Sequence, residues 1–384
     1  MTGNASQAGT DQTRATTVAD IAEAAGVSTT TVSLVLNGRA RAQRIAKTTE
    51  AKVLDVAREL QYAPNELARS LRRQQTGDVG VLLPHLLNDW AHYIMEGVEG
   101  VLDTAGLVPL IVNHRGSATR SRRGLDALVR RQVCGVICNP MQDEEDHYRR
   151  VIERGMPFVF LGDVPEGFPN ASFAAWDPAE CAEPVRHLAS LGRRRILFLG
   201  HADERRLSNE RYAAVRTALH DAGLPADDDH VVLRPMAEGF DAAVRAAFTE
   251  RPAADRPDAI FALFDDVAMR ALDVLRCLGL RVPDDVAVAA TGTGLDAGFR
   301  AYGLTIMKAP VVEEGAAATR LLLDRLQGRV SRPEEMYVRG GELVVSRTTA
   351  GEASPLAHRS TSVPDLKGSP SREITPAPSG APAS

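Results

Sequence analysis

From Val79 onward, short apolar runs alternate with amphipathic stretches of helical length, and this alternation restricts the fold more than any other feature of the chain. The runs Val79–Leu83, Val108–Val112, Val133–Cys138, Phe158–Leu161, Ile196–Leu199, Ala259–Leu263 and Val286–Ala290 read as strands. Between them lie helical stretches such as Tyr93–Ala105, Ala179–Leu191 and Val267–Leu278. A strand that is apolar along its whole length needs cover on both faces. A helix after each strand gives that cover through parallel crossovers, so the body is expected to be α/β. At roughly 270 residues the body exceeds one ordinary domain of this kind, and two doubly wound lobes are expected.

Ahead of the body, the pattern is short and all-helical. Thr17 with Asp20 three residues on resembles a capping box, and Ile21, Ala22, Ala24 and Ala25 form a small apolar face. Gly26 ends that helix and Ser28 caps the next, which turns Val32, Val35 and Leu36 inward before Asn37-Gly38 stops it. A third helix runs from about Thr48 to Leu60, with Val53, Leu54, Val56, Ala57 and Leu60 as its buried stripe. After Tyr62-Ala63-Pro64-Asn65 comes a short amphipathic piece, Glu66 to Leu71. The ends, residues 1–15 and 350–384, are rich in Ser, Thr, Pro, Ala and Gly and are expected to be disordered.

Charge separates head from body. The chain carries a net −5, yet Arg14 to Gln75 holds ten basic residues against six acidic ones. A basic head on an acidic body is the footprint of a nucleic-acid reader. No run approaches the ~20 apolar residues of a membrane span, and Met1 to Thr13 lacks a signal pattern, so a cytoplasmic protein is expected. Cys134, Cys138, Cys181 and Cys277 suit a reducing compartment. Cys134 and Cys138 read as buried small hydrophobes, with no second cluster to complete a metal site.

Two helices joined by a glycine-containing turn place the second in the major groove, its first side chains at the base edges. In the segment Ala22 to Gly38, Ser28, Thr29, Thr30, Thr31 and Ser33 are short donors and acceptors for bases or phosphates. A run of threonines is otherwise a poor helix former. This segment resembles the head of the LacI/GalR family of transcription regulators. Tyr62 to Leu71 is similar to that family's hinge, in which a helix too short to stand alone folds on operator DNA beside its twin. Leu71 stands at the place of the apolar wedge that enters the minor groove. The resemblance implies DNA contacts from Ser28, Thr29, Thr30, Thr31, Ser33, Asn37, Arg39, Asn65, Arg69, Leu71 and Arg72.

Leu188 to Ile196 and Val282 to Val288 also look like family motifs. They imply a body similar to periplasmic binding proteins, closing around a small effector between its lobes. On that resemblance the effector contacts are Asn88, Trp90, Arg211, Phe264 and Asp265, suited to a sugar or other polar metabolite. The whole then divides into an arm (1–15), a helix-turn-helix domain (16–62), a hinge helix and linker (63–76), an effector-binding and dimerisation body (77–349) and a tail (350–384). The implied function is a ligand-responsive repressor that binds double-stranded operator DNA as a homodimer, with no enzymatic cofactor.

The chain departs from the pattern in four places. Three extra residues lie between Asn37 and Ile45, Ala46 replaces the usual Ser cap of the third helix, and Leu34 replaces an Arg that reaches a base. Gly292 stands where an acidic residue often holds a sugar hydroxyl, which argues against a simple sugar. Rival readings are weaker. Thr291 to Gly298 faintly resembles a dinucleotide loop, but its third glycine falls at 298 instead of 297 and it lies near the end of the body. There is no P-loop, no nucleophile elbow and no zinc-protease pair, and His201, His220 and His230 read as scattered surface residues. A transporting or sensing protein without DNA would not need the basic head, and a nucleoid binder would not need the body.

Overall fold

The computed structural model describes residues 16–36, 40–41, 43–62, 77–86, 89–165, 167–168, 170–202, 206–227, 230–234, 239–294, 301–351 and 375–376. The chain divides into two compact units, 1–74 and 75–384.

The first unit holds α1 (Val18–Ala25), α2 (Thr29–Leu36) and α3 (Lys47–Glu59). The capping box forms as expected. The Thr17 hydroxyl accepts from the Asp20 N–H at 3.3 Å, and Asp20 accepts the Thr17 N–H at 2.7 Å. Gly26 adopts φ 67° and closes α1, a left-handed turn that favours glycine. Ile21, Val32 and Val53, one from each helix, are fully buried and fix the three-helix core with Ala22, Ala25, Val35 and Ala57. Two expectations fail here. Ala24 lies on the exposed side of α1, and on α3 Leu54 and Leu60 are exposed, so a narrower stripe of Val53 and Ala57 is buried. Ala46 gives α3 no side-chain cap. In the stretch with three extra residues, Ala40 is buried in the core and its carbonyl accepts from Ile45 N–H at 3.0 Å. That anchor turns Arg41 and Arg44 outward to solvent.

The second unit contains two sheets. The first holds β1 (Asp78–Leu83), β2 (Val108–Asn113), β3 (Gly135–Cys138), β4 (Phe158–Leu161), β5 (Phe173–Trp176) and β11 (Glu335–Val338). They are parallel, in the order β11-β5-β4-β3-β1-β2, with Thr375–Pro376 paired antiparallel outside β11. One face carries α4 (Asp89–Ala105) and α11 (Val311–Leu326); the other carries α5 (Ala118–Arg130) and α6 (Glu145–Glu153). The second sheet runs β12-β10-β9-β8-β6-β7, from β6 (Ile196–His201), β7 (Val231–Arg234), β8 (Ala259–Ala262), β9 (Ala287–Gly292), β10 (Thr305–Lys308) and β12 (Glu342–Val344). Only β12 is antiparallel. Its cover is α7 (Glu183–Ser190) with α8 (Arg206–Asp221) on one face and α9 (Phe240–Thr249) with α10 (Asp265–Cys277) on the other. Beyond β12, α12 (Arg347–Ala350) closes the body.

The chain passes between the lobes three times: after β5, between β10 and α11, and between β11 and β12. Two of these crossings are tied together. Asp177 N–H donates to Val338 C=O at 2.9 Å, Arg339 donates to the Asp177 carboxylate at 2.6 Å, and Glu180 accepts from Gly340 and Gly341 N–H. No described helix is long and apolar enough to cross a membrane. Cys134, Cys138 and Cys181 are buried thiols, and Cys277 is exposed.

Candidate functional site

On the head, α2 divides its residues cleanly. Val32 and Val35 face the core, while Ser28, Thr29 and Thr30 are exposed and Thr31 and Ser33 are half-buried. The Ser28 hydroxyl accepts the Thr31 N–H at 3.1 Å and lies 2.9 Å from the Thr31 hydroxyl. Ser28 is therefore the cap of α2 and also part of the exposed hydroxyl edge. Leu34 is half-buried. The positive end of the helix dipole and a row of short hydroxyls thus occupy the same end of α2, a combination suited to phosphate and base contacts. Asn37, Arg39, Asn65, Arg69, Leu71 and Arg72 lie outside the described residues, as does Asn88 of the body.

In the body, the site residues sit where parallel strands end. In open α/β sheets the carboxyl ends of the strands leave the crevice where ligands bind. Asn139 follows β3, Gly162 and Asp163 follow β4, and Trp176 ends β5; in the other lobe His201 ends β6, Phe264 and Asp265 follow β8, and Gly292 and Thr293 lie at the end of β9. The structure brings Trp90 and Arg211 to the first group and Phe264 and Asp265 to the second.

The first group is organised around Glu314, a residue that sequence reasoning missed. Glu314 lies in the first turn of α11 and is 2% exposed. It accepts from the Trp176 backbone N–H at 3.3 Å and from the side chain of Trp90. Gly162 packs directly under this group. With φ 77°, it brings its backbone against Asn139, Trp90 and Glu314, where a β-carbon would stand 3.2–3.5 Å from all three. Burial pushes the Glu314 carboxyl up to about 7, with Arg211 opposing and Asp163 adding to the rise. Glu314 is invisible to patterning because an acid in the first turn of a helix is an ordinary dipole partner. Only the tertiary fold shows that it points inward.

Arg211, on α8, donates to the Gly162 carbonyl at 3.0 Å and stands 4.0 Å from Asp163. Asp163 also accepts from Leu207 N–H at 2.9 Å and the Ser208 hydroxyl at 2.8 Å, so it caps the start of a helix that covers the other lobe's sheet. Leu207 is fully buried in the first lobe's core. Arg206 extends the same join with a paired contact to Glu335 at 2.6 and 2.9 Å. Arg211 is therefore already engaged between the lobes; its Nε is buried without a hydrogen-bond partner among the described residues.

In the second group, Phe264 stacks on His201 with ring centroids 4.3 Å apart and planes 17° from parallel. His201 is consequently half-buried at a strand end, which corrects its reading as a scattered surface residue. His220 is exposed and His230 is half-buried beside Asp227. Asp265 is pushed up to about 6, first by burial and then by Asp266, although Asp266 and Thr293 N–H groups donate to it. Its carboxylate fills the space that a side chain on Gly292 would need. The acid expected at the end of β9 is thus replaced in space by one from the start of α10. A separate hollow of about 350 Å³ beside α6 is lined by Arg122, Glu144 and His147. Arg122 pairs there with Glu144, and the His147 ring lies 3.3 Å from Asp126. Among the described residues no group of His, Cys, Asp and Glu could hold a metal ion.

Comparison with known proteins agrees with both units. The profile of bacterial regulatory proteins of the lacI family matches residues 17–65, and that of the periplasmic binding protein-like domain matches residues 185–349. The chain is 29% identical over 337 residues to the HTH-type transcriptional repressor PurR of Photobacterium profundum, covering 86% of this chain and 98% of that protein. It is 26% identical over 338 residues to the HTH-type transcriptional regulator DegA of Bacillus subtilis, with 87% and 98% covered. Among solved structures, the transcriptional regulator CelR–cellobiose complex superposes with a TM-score of 0.64 at 27% identity, over 87% of this chain and 99% of that one. The lac repressor dimer bound to operator and the anti-inducer ONPF gives a TM-score of 0.71 at 24% identity, over 88% and 99%, and so speaks for the fold.

Proposed function

We propose, from the premise that the chain belongs to the lacI family of bacterial regulatory proteins, that it is a transcriptional repressor whose hold on operator DNA is set by a small molecule bound between the lobes of its body. The observation that carries this reading is α2, whose Val32, Val35 and Leu36 pack into the core while its capped end presents Ser28, Thr29 and Thr30 to solvent. The same chain carries a two-lobed body with polar groups gathered at the strand ends of both sheets.

In this reading Ser28, Thr29, Thr30, Thr31, Ser33, Asn37 and Arg39 meet the major groove and its phosphates. Residues 63–76 form the hinge, with Asn65, Arg69 and Arg72 at the backbone and Leu71 as the minor-groove wedge. Asn88, Trp90, Arg211, Phe264 and Asp265 line the effector site. One short recognition helix reads too few bases alone, and paired half-sites supply the missing specificity. Two copies therefore act together. The edge strand β2 suits that pairing: Val108 and Ile111 are 58% and 42% exposed on a strand with no outer neighbour among the described residues. Effector binding favours one lobe arrangement over the other, and only its differential affinity for the two can shift operator binding. The protein is read as cytoplasmic and without catalytic activity.

The test is footprinting of the full chain on DNA upstream of its own gene. A protected palindrome whose occupancy falls steeply with salt supports the reading. Binding that is salt-dependent but the same on every sequence defeats it. Replacing Leu71 with Ala should weaken specific binding far more than non-specific binding; equal losses remove the wedge assignment. Addition of effector to the footprint then separates release from tightening.

A further inference from the structure

Helix α8 is fastened to both lobes, at different points along its length. From Tyr212 onward it is held by the second lobe. The Tyr212 ring stacks on Phe198 of β6 with centroids 5.7 Å apart, and Val215, Ala218 and Leu219 are buried in that lobe's core. The first turn is held by the first lobe instead. Arg206 N–H donates to the Val164 carbonyl at 3.1 Å, Leu207 N–H and the Ser208 hydroxyl donate to Asp163, and the Leu207 side chain is buried in the first lobe's core. The helix therefore takes its N-terminal cap from the opposite lobe. The Arg206 guanidinium strengthens the join, since Nη1 and Nη2 donate to Glu335 of β11 at 2.6 and 2.9 Å. Nη2 also donates to the Tyr337 hydroxyl at 3.1 Å, and Nε to Glu210 of α8 itself at 2.9 Å. The Tyr337 hydroxyl donates to Glu210 at 3.2 Å, and the guanidinium lies 5.4 Å from the centre of the Phe173 ring.

When the lobes part, α8 must let go of one of them. Leaving the second lobe would strip the Phe198–Tyr212 stack and three buried apolar residues from their core, a loss that water does not offset. Leaving the first exposes one leucine and exchanges hydrogen bonds for bonds to water, at a much smaller net cost for each. The Arg206–Glu335 pair is itself partly solvated, with side chains 27% and 26% exposed. Resting on the reading of this cleft as the effector site, we propose that the first turn of α8 is a clasp between the lobes. It is where the body parts when the cleft opens, and Arg206 and Glu335 set how readily it lets go. Arg211 stands at the boundary, one residue before Tyr212, and is held by the Gly162 carbonyl and faces Asp163. Release of the clasp frees Arg211 from both as the cleft opens. An effector that engages Arg211 therefore acts on the clasp directly, which supplies the differential affinity a switch requires. Arg206 and Glu335 are positioning residues in this device.

The experiment is amide hydrogen exchange of the full chain, read separately over residues 206–211 and 212–221. Arg206→Ala and Glu335→Gln should each speed exchange over 206–211 by about tenfold or more and leave 212–221 unchanged, because only the first turn is released. Arg206→Glu and Glu335→Arg should each do the same, and the two together should recover most of the parent's protection. Arg281→Ala, which breaks an exposed pair with Asp285 within the second lobe, should change neither segment. Unchanged exchange over 206–211 in both Arg206→Ala and Glu335→Gln overturns the proposal. So does equal acceleration over the whole of 206–221, which would mean that α8 leaves the second lobe, and so does a charge swap that recovers nothing. The same variants are then titrated with the footprinted operator and a scrambled duplex. A changed operator affinity with unchanged scrambled binding is expected. Faster exchange with both affinities unchanged upholds the clasp and removes the link from lobe arrangement to DNA, so the two failures are told apart.

Discussion

Gly97 of α4 and Gly315 of α11 are the point at which these two helices touch backbone to backbone. A β-carbon on Gly97 would overlap the Val312 carbonyl oxygen, and one on Gly315 would overlap the Ile94 carbonyl oxygen. Glu314 precedes Gly315, and Trp90 lies in the first turn of the partner helix, so this crossing sets the geometry of the polar group around Glu314 at the strand ends of the first sheet. Backbone cannot rotate aside as a side chain can. Gly97→Ala and Gly315→Ala should each destabilise the body by about 1–3 kcal/mol and shift the tryptophan emission. Gly100→Ala, on the same helix but facing open space, should be neutral or slightly stabilising. Thermal unfolding of the three variants checks this.

Ser28 and Thr30 separate two roles on α2. Ser28→Ala removes the cap on the Thr31 N–H and should cost the head about 1 kcal/mol, besides any lost DNA contact. Thr30 is exposed and makes no such cap. Thr30→Ala should leave melting unchanged and lower operator affinity roughly 10-fold, the range of a lost base contact, with little effect on non-specific binding. Melting and salt-matched DNA titrations on operator and scrambled duplexes give both numbers. A melting loss for Thr30→Ala without an affinity loss would remove it from the interface.

Thr305 joins the segment 346–349 to the second sheet. Its hydroxyl accepts from Ser346 N–H at 2.8 Å, donates to Ser346 C=O at 3.1 Å and lies 2.7 Å from the Thr349 hydroxyl, which in turn meets His187 at 2.9 Å. Thr305, Ser346 and Thr349 are buried and His187 is half-buried. Thr305→Val keeps the shape but strands the Ser346 N–H, at about 1–3 kcal/mol. The expected result is a lower urea midpoint with an unchanged slope. An unchanged midpoint would mean that water takes over these bonds.

The strands Phe158–Leu161 and Ile196–Leu199 were legible because they are buried on both faces and read as unbroken apolar runs. Others were not. Thr305–Lys308 and Glu335–Val338 carry polar residues that the structure satisfies through tertiary partners, Thr305 by the C-terminal segment and Glu335 by Arg206. Val231–Arg234 is a half-buried edge, where apolar patterning is weak. The hydroxyl edge of α2 could be read because a helix-turn-helix packs by local rules, and Ser28, Gly26 and Val32 lie within seven residues of one another. The cleft depends on contacts across more than a hundred residues. Trp176 and Glu314 meet across such a span, so no local pattern marks Glu314. Ala24 and Leu54 were misassigned because a three-helix head is too small to bury a full apolar face on each helix.

Stability should fall as pH rises through neutrality, because of Glu314. Its folded carboxyl is pushed up to about 7 from an ordinary value of 4.5, chiefly by burial, with Arg211 and Asp163 the charged groups that face it. The folded state then holds a proton that the unfolded state has released. That stabilising contribution is complete below about 4.5 and is lost as pH rises through about 7, by roughly 3 kcal/mol. Asp265, pushed up to about 6, adds in the same direction at lower pH. In Glu314→Gln the amide oxygen still accepts from Trp176 and Trp90 and no charge forms. This variant should be more stable than the parent at pH 8 and similar at pH 5. Urea unfolding at both values checks it, and parallel losses in the two proteins would show that Glu314 is ionised throughout.

Gly292 and Asp265 should behave as one position. A β-carbon on Gly292 would collide with the Asp265 carboxylate, and Gly292 itself has no left-handed backbone that would exclude a side chain. Strain in Gly292→Asp would therefore come from the neighbour alone, through overlap and like charge in a partly buried site. Gly292→Asp is expected to lower stability by about 1–3 kcal/mol and to disturb effector binding. Adding Asp265→Gly should restore most of the stability, because the vacated space accepts the new side chain, and the cleft would regain a carboxylate on β9 in place of the one on α10. The coupling between the two substitutions, measured as a double-mutant cycle by urea unfolding, should be at least 1 kcal/mol and favourable. Additive losses would mean that Gly292 is required by the backbone of β9 and that the acid has not changed places.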